Sequence, residues 1–403
     1  MQEIDTKNQN AGRYLISLIR ESLRGEQFTN KPEGCILADV YALAESNSVE
    51  AISFYGLSQN LVQDKLYEKW SRQANVTLFR QLSFDAERET ILTKMAEQGI
   101  SYLPLKGILI VSYYPKPGMR SMADNDILYG ILEPRDGGGV QPVGKYQQDK
   151  EAVVKKAQNQ IKTFMEELGY EVESLVGNHD CYMKKPCFNF ELHRQLMDND
   201  SPMYSYYEDV WSRAIPDEKN PYAYFFSDED EYIYFLAHAF KHFDNSGCGI
   251  RCVIDLYVFL QKKREQMDWK YIAAELEKLE LTEFEKKLKT LAYHAFEKGE
   301  LDEQDEDILF YMLGCGTYGN LQTRINNSLD KLREESVGGT RGYKLRYWRE
   351  RLFWNREKCK NVFPFFYKHH WLIILLPFYR VIRGLFRHPG QLFDEFKRVW
   401  RHR

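Results

Sequence analysis

The apolar run 371–379 is about half the roughly 20 residues that a bilayer-spanning helix needs, so a transmembrane helix is not expected there. The first ten residues are polar and lack the apolar core of an export signal, which points to a cytoplasmic protein. Cysteine is sparse: seven residues, an odd number, with no Cys-x-x-Cys. That argues against a disulfide framework and reads as reduced thiols. Cys248 and Cys252 lie four apart without a second pair, and read as packing within a helix. No repeat of fixed period runs through the chain, which argues against solenoids and propellers. What remains is a 403-residue chain with 43% hydrophobic residues, enough for two or three domains with cores of their own.

The net charge of −4 hides an asymmetry. Residues 336–403 hold 16 Lys/Arg against 4 Asp/Glu, and residues 1–335 hold 39 against 55. An acidic body carries a basic, aromatic tail. Such a tail suits an anionic partner, or docking on the body.

The stretch 103–129 is the chemical centre of the sequence. Asp124 and Asp126 alternate with Asn125 and Ile127, so in a strand both carboxylates share a face. Two acids on one face repel unless a cation lies between them, and hard cations such as Mg²⁺ take oxygen ligands and bind phosphates. Glu191 offers a third acid in the strand-like run 188–193. Lys106-Gly107 ends the apolar run 100–105, and a helix is expected over 108–114. Glycine there admits an anion to backbone amides, and lysine adds a point charge for a phosphate.

The order Lys106-Gly107, helix, Tyr114-Pro115, Arg120, Asp124-x-Asp126 and a distant Glu191-Leu192-His193 resembles an uncharacterised bacterial nucleotidyltransferase family of the polymerase-β-like superfamily. The resemblance covers roughly residues 90–260, with a looser echo in the tail. It implies an α+β fold, a small mixed sheet flanked by N- and C-terminal helical domains. It also implies Asp124, Asp126 and Glu191 as ligands for Mg²⁺ or Mn²⁺, Lys106 and Gly107 as contacts to the phosphates of a nucleoside triphosphate, and Arg120 beside them. Family members look similar in His238-x-x-x-His242 and Arg251-x-x-x-Asp255, which would face the nucleotide cleft. The superfamily's usual Gly-Ser is Lys-Gly here, as in this subfamily, and the spacing to the acids is long.

Taken in order, residues 1–90 read as a helical domain, 91–203 as the α/β core, 204–335 as a second helical domain and 336–403 as the basic tail. In the first, apolar spacing falls at Leu66, Trp70, Val76, Leu78, Phe79 and Leu82. Gly99 is a fitting cap for the helix that enters the core. Residues 133–148, rich in Gly and Pro, read as a mobile insertion, either a lid or a flexible loop. An amphipathic helix over 149–168 and strands over 170–176, 181–184 and 188–193 follow. His238 and His242 share a helix face; without His-Glu-x-x-His or a third ligand, core packing outweighs zinc. Arg251 and Asp255 could equally form an i, i+4 helix pair. The segment 270–300 reads as one charged helix with a solvated face, and 301–307 as an acidic turn.

The tail begins after a linker at 337–340. Its Trp and Tyr residues beside Arg380, Arg383 and Arg387 fit an interfacial helix on an anionic membrane surface, at the inner face of the membrane. Packing on the body is an equal reading and nucleic acid a third. The function expected is metal-dependent transfer of a nucleoside monophosphate from a triphosphate to an unidentified hydroxyl. The alternatives are a membrane-associated, non-catalytic assembly protein and a phosphotransferase on the same scaffold.

Overall fold

A computed structural model describes residues 6–62, 64–136, 138–144, 147–335, 342–354, 359, 363–387 and 389–402. The expected linker at 337–340 and the first five residues of the polar N-terminus lie outside the described residues. The architecture is α+β. It divides into two compact units: Met1–Phe240 with Ile250–Thr317, and Lys241–Gly249 with Tyr318–Arg403. The first unit thus joins the N-terminal helices, the sheet and the helices up to Thr317.

The N-terminal helices lead into one 34-residue helix, Asp64–Glu97. Its inward stripe is Trp70, Ala74, Thr77, Gln81, Phe84, Ile91 and Met95, at spacings of three or four with one of seven between Phe84 and Ile91. Val76, Phe79 and Leu82, expected to face inward, are exposed instead. Thr77 and Gln81 hold the buried positions because their polar atoms find backbone partners: Thr77 Oγ1 donates to Gln73 O at 3.0 Å, and the Gly118 amide donates to Gln81 Oε1 at 2.7 Å. The helix ends ahead of Gly99, which takes a left-handed φ of +70° and turns the chain into the sheet.

The sheet has five strands: β1 (Ser101–Pro104), β2 (Asn125–Gly130), β5 (Glu171–Ser174), β6 (His179–Lys184) and β7 (Phe188–His193). They lie in the order β1-β2-β7-β6-β5, and only the central β2–β7 pair is parallel. A parallel pair needs a long crossover. Here it contains the helix Gln147–Glu167 and the β5–β6 hairpin. The expected loop at 133–148 holds a short hairpin, β3 (Leu132–Pro134) and β4 (Val140–Pro142).

Strand alternation gives the sheet two unlike faces. Ile127, Tyr129, Tyr182, Phe190 and Leu192 enter a core with Phe84, Ile91 and Met95 from the long helix and Ile161, Phe164 and Met165 from the crossover helix. The opposite face carries the polar residues considered below.

Two other expectations change. The 270–300 segment is a packed layer of three pieces, the helices Trp269–Lys278 and Thr282–Tyr293 and a π-turn at His294–Lys298. Ile272, Leu276, Leu279, Leu288 and Leu291 are all buried there, and the many charges occupy the remaining faces. Residues 301–307 open the helix Glu303–Cys315. Asp302 caps it by accepting from the Asp305 amide, and Asp305 returns the bond to the Asp302 amide, so the acids there are cap residues.

In the second unit, Ile325, Leu329 and Leu332 of the helix Leu321–Glu334 pack with Tyr343, Tyr347 and Val399. The run 371–379 divides between a 3₁₀ segment, His370–Leu375, and the helix Leu376–Arg387.

Candidate functional site

Register decides what the polar face presents. Asp126 of β2 lies opposite Glu191 of β7, and Cys181 of β6 lies opposite Glu191 on the other side. One row along, Leu128 lies opposite His193, and His193 opposite His179. Two acids, two imidazoles and a thiol therefore share one patch of sheet. Asp126, Glu191 and His193 offer ligand atoms that all lie within 4.8 Å of one another, and His179, Cys181 and Glu191 form an adjoining group of the same kind.

Asp126 is the hub of this patch. Its Oδ1 accepts from Lys106 Nζ at 2.8 Å and lies 2.7 Å from His193 Nε2. Burial alone would raise the carboxyl, but the charge of Lys106 and the bond to His193 prevail and hold it far below the usual carboxylate range. Lys106 responds in kind: burial works against its charge, yet Asp126 holds it above the usual lysine value. Glu191 feels the Lys106 charge more weakly, without the bond that Asp126 makes to it. Burial, then the charges of Asp126 and Asp124, push it up to about 7. Burial also lowers His193 and His179, whose rings stand 5.0 Å apart, so both favour the neutral, ligating form. His193 Nδ1 is buried with no hydrogen-bond partner among the described residues.

Asp124 precedes β2, which begins at Asn125, so it does not sit in the strand as expected. It is half-buried and lies outside the convergent group of ligand atoms. Burial and then the charge of Asp126 raise it, against Lys106, Arg251 and Arg120. Three carboxylates thus crowd around one lysine. That excess of negative charge, with neutral imidazole beside it, fits a divalent cation taking both oxygen and nitrogen ligands.

Lys106 adopts φ +53° and ψ −120°, a backbone region that non-glycine residues rarely occupy. From that position its ammonium donates to Asp126 Oδ1. The helix that follows is shorter than expected, four residues at Gly107–Ile110 continued by a 3₁₀ turn, Val111–Tyr113. Gly107 has a packing reason to lack a side chain, because a Cβ would stand 2.5 Å from Arg120 Nη1.

Arg120 itself is engaged elsewhere. Its Nε and Nη2 donate to the two carboxylate oxygens of Asp255 at 2.8 and 2.9 Å, and Tyr114 Oη donates to the same carboxylate at 2.7 Å. All three side chains are buried. Of the two readings of Arg251 and Asp255, the i, i+4 helix pair gives way to a long-range pair of Asp255 with Arg120, and Arg251 Nη1 donates to Ser121 O at 3.2 Å. This clamp fixes the segment that leads into Asp124 and β2.

The helix Asp228–Asn245 contributes Tyr234, buried beside Lys106 and Asp126, whose hydroxyl has no partner among the described residues. His238 lies one turn further along, its ring 6.2 Å from that of Tyr234, and His242 is exposed. Neither histidine joins a group of potential metal ligands among the described residues. His179, Cys181 and Tyr234 were not evident from the sequence. For His179 the one usable signal is its place across the turn from His193 in the β6–β7 hairpin.

A family model described as an uncharacterised nucleotidyltransferase matches residues 37–132 and 152–297, more than half of the chain. The chain belongs to this nucleotidyltransferase family. No curated protein and no solved structure matches it. The nucleotidyltransferase match contains Lys106, Asp126, Glu191, His193 and the Arg120–Asp255 clamp. It also takes in the N-terminal helices from residue 37, well before the stretch of 90–260 that carries the sequence resemblance. The unmatched interval between its two parts, 133–151, holds the β3–β4 hairpin apart from Leu132.

Proposed function

We propose that the polar sheet face around Asp126 moves a nucleoside monophosphate from a nucleoside triphosphate to a hydroxyl acceptor. The observation that carries this reading is the parallel β2–β7 register, which sets Asp126 against Glu191 with Lys106 and His193 bonded to the same aspartate oxygen. We read the five-stranded sheet as a polymerase-β-like core on that basis. Asp126 and Glu191, with His193 or Asp124, would hold Mg²⁺ or Mn²⁺; an imidazole in the set suits Mn²⁺ better than Mg²⁺. When bound, the ion would neutralise triphosphate charge and lower the pKa of the acceptor hydroxyl.

The remaining roles fall to the chain itself. The Lys106 ammonium, fixed by its strained backbone, supplies positive charge to the phosphates. The Arg120–Asp255 clamp acts indirectly, holding the approach to β2 rigid so that the acids keep their spacing. In the transfer, the acceptor oxygen bonds to the α-phosphorus and the bond from that phosphorus to the bridging oxygen breaks. Pyrophosphate leaves, and water takes the hydroxyl proton.

The test supplies Mn²⁺ or Mg²⁺, a cell extract as acceptor source, and each triphosphate labelled either at the α- or at the γ-phosphate. Nucleotidyl transfer puts α-label on an acceptor and releases γ-label as pyrophosphate, and Glu191→Gln abolishes both. Transfer of γ-label to the acceptor would replace this reading with a phosphotransferase. No transfer of either label would leave a fold without the activity.

A further inference from the structure

More than half of the exposed large apolar side chains among the described residues fall in 342–402. They are ordered. In the helix Leu376–Arg387, Phe378, Ile382, Leu385 and Phe386 recur at i, i+4, i+7 and i+8, which is one face, and Phe386 is 86% exposed. In the helix Pro389–Arg401, Phe393, Phe396 and Trp400 recur at i, i+3 and i+7, and Trp400 is 77% exposed.

The second helix does not follow the usual inside-outside division. Its inward face holds Val399 and also Glu395, which accepts from Tyr347 Oη at 2.7 Å and Arg351 Nε at 2.9 Å. One apolar side chain and a bonded carboxylate are buried while two phenylalanines and a tryptophan point outward. Large aromatic side chains ordered along an outer face mark a surface made to meet something apolar.

Cations surround the stripes. Arg387, Lys397 and Arg401 are exposed, Arg380 lies over the Trp354 ring at 3.8 Å, and Lys397 over Phe393 at 4.4 Å. With 16 Lys/Arg against 4 Asp/Glu in 336–403, a second copy of this surface is repelled and an anionic one attracted. Ile382 and Leu385 are aliphatic and cannot stack on bases, which favours lipid over nucleic acid. No helix among the described residues is long and apolar enough to cross a membrane.

We propose that the C-terminal unit docks on an anionic lipid bilayer, sinking the Phe378–Ile382–Phe386 and Phe393–Trp400 stripes into the interface while Arg387, Lys397 and Arg401 meet lipid phosphates. The helices lie in the membrane plane and the basic side chains reach the headgroups along their own apolar stems.

The experiment is co-sedimentation of the full-length protein with vesicles of equimolar phosphatidylglycerol and phosphatidylcholine, and with vesicles of phosphatidylcholine alone. The wild type is expected to bind the anionic vesicles preferentially and less tightly as salt is raised. Paired Ile382→Asp and Phe386→Asp changes, both at exposed positions, should weaken binding about tenfold or more. Charge reversal at Arg387, Lys397 and Arg401, which leaves the apolar stripes intact, should remove the preference for anionic lipid. Binding by either variant that is unchanged from wild type, or equal binding of the wild type to the two vesicle types, would overturn the proposal. So would a lipid-free dimer of the wild type that the aspartate variant converts to monomer, since the stripes would then cover each other. Binding of a single-stranded oligonucleotide in place of vesicles would overturn it as well.

Discussion

Arg120 and Lys106 are both basic and both border the acids, yet their surroundings give them different work. Lys106 is bonded to Asp126 within the polar patch, whereas Arg120 is consumed by Asp255. Removing one partner of a buried ion pair strands the other, so Arg120→Ala is expected to cost about 3–5 kcal/mol of stability in denaturant unfolding. A side chain that merely touched phosphate would lower nucleotide affinity and leave the midpoint in place. Glu231 gives a prediction in pH. It is 8% exposed, and burial raises it to about 7, against a hydrogen bond from Tyr113. The folded state therefore prefers the protonated acid. Stability from this group is fully present below the unfolded pKa near 4.5 and is lost as pH rises through about 7. Glu231→Gln should make the protein more stable than wild type at pH 8, by up to about 3 kcal/mol, with the difference fading at low pH. A variant less stable at both ends would contradict the assignment.

The acids Asp126 and Glu191 were legible in the sequence because each sits in a short alternating run whose direction the flanking turns fix. His179 was not, since nothing local marks it. Its meaning comes from the β6 register, which brings it opposite His193 across a hairpin. The engagement of Arg120 is hidden for the same reason: its partner Asp255 lies 135 residues away.

At the scale of elements, apolar spacing marks the segment of the long helix as helical but gives neither its full extent, Asp64–Glu97, nor its inward face. The apolar residues Val76, Phe79 and Leu82 are exposed, and the buried stripe runs through Thr77 and Gln81. Trp70 is fully buried and donates from Nε1 to Glu50 O at 2.8 Å, so Trp70→Ala is expected to cost about 3–5 kcal/mol. Phe79→Ser should change stability by no more than about 0.5 kcal/mol. Thermal or denaturant unfolding of the two variants checks the assignment, and comparable losses would return Phe79 to the core. The segment 270–300 shows the opposite failure. Its dense Lys and Glu suggest a solvated helix, while five buried aliphatic residues at helical spacing hold it in the first unit. Short strands with strong punctuation were the most legible elements: β7 runs Phe188–His193, the same residues as the expected strand over 188–193.

The whole molecule pairs a nucleotidyltransferase unit with a basic C-terminal unit that lies, apart from 241–249, outside the family match. The charge asymmetry of the sequence follows that division loosely, because the helix Leu321–Glu334 belongs to the second unit and not to the acidic body. Transfer chemistry and surface attachment would then be separable properties of one chain. The most direct measurement of the central claim is a Mn²⁺ titration of the full-length protein followed by electron paramagnetic resonance, with and without nucleoside triphosphate, beside a variant carrying Asp126→Asn and Glu191→Gln. The account predicts saturable Mn²⁺ binding that triphosphate tightens, and its loss in the folded variant. Equal Mn²⁺ binding by the two proteins, or none by either in the presence of triphosphate, would contradict it.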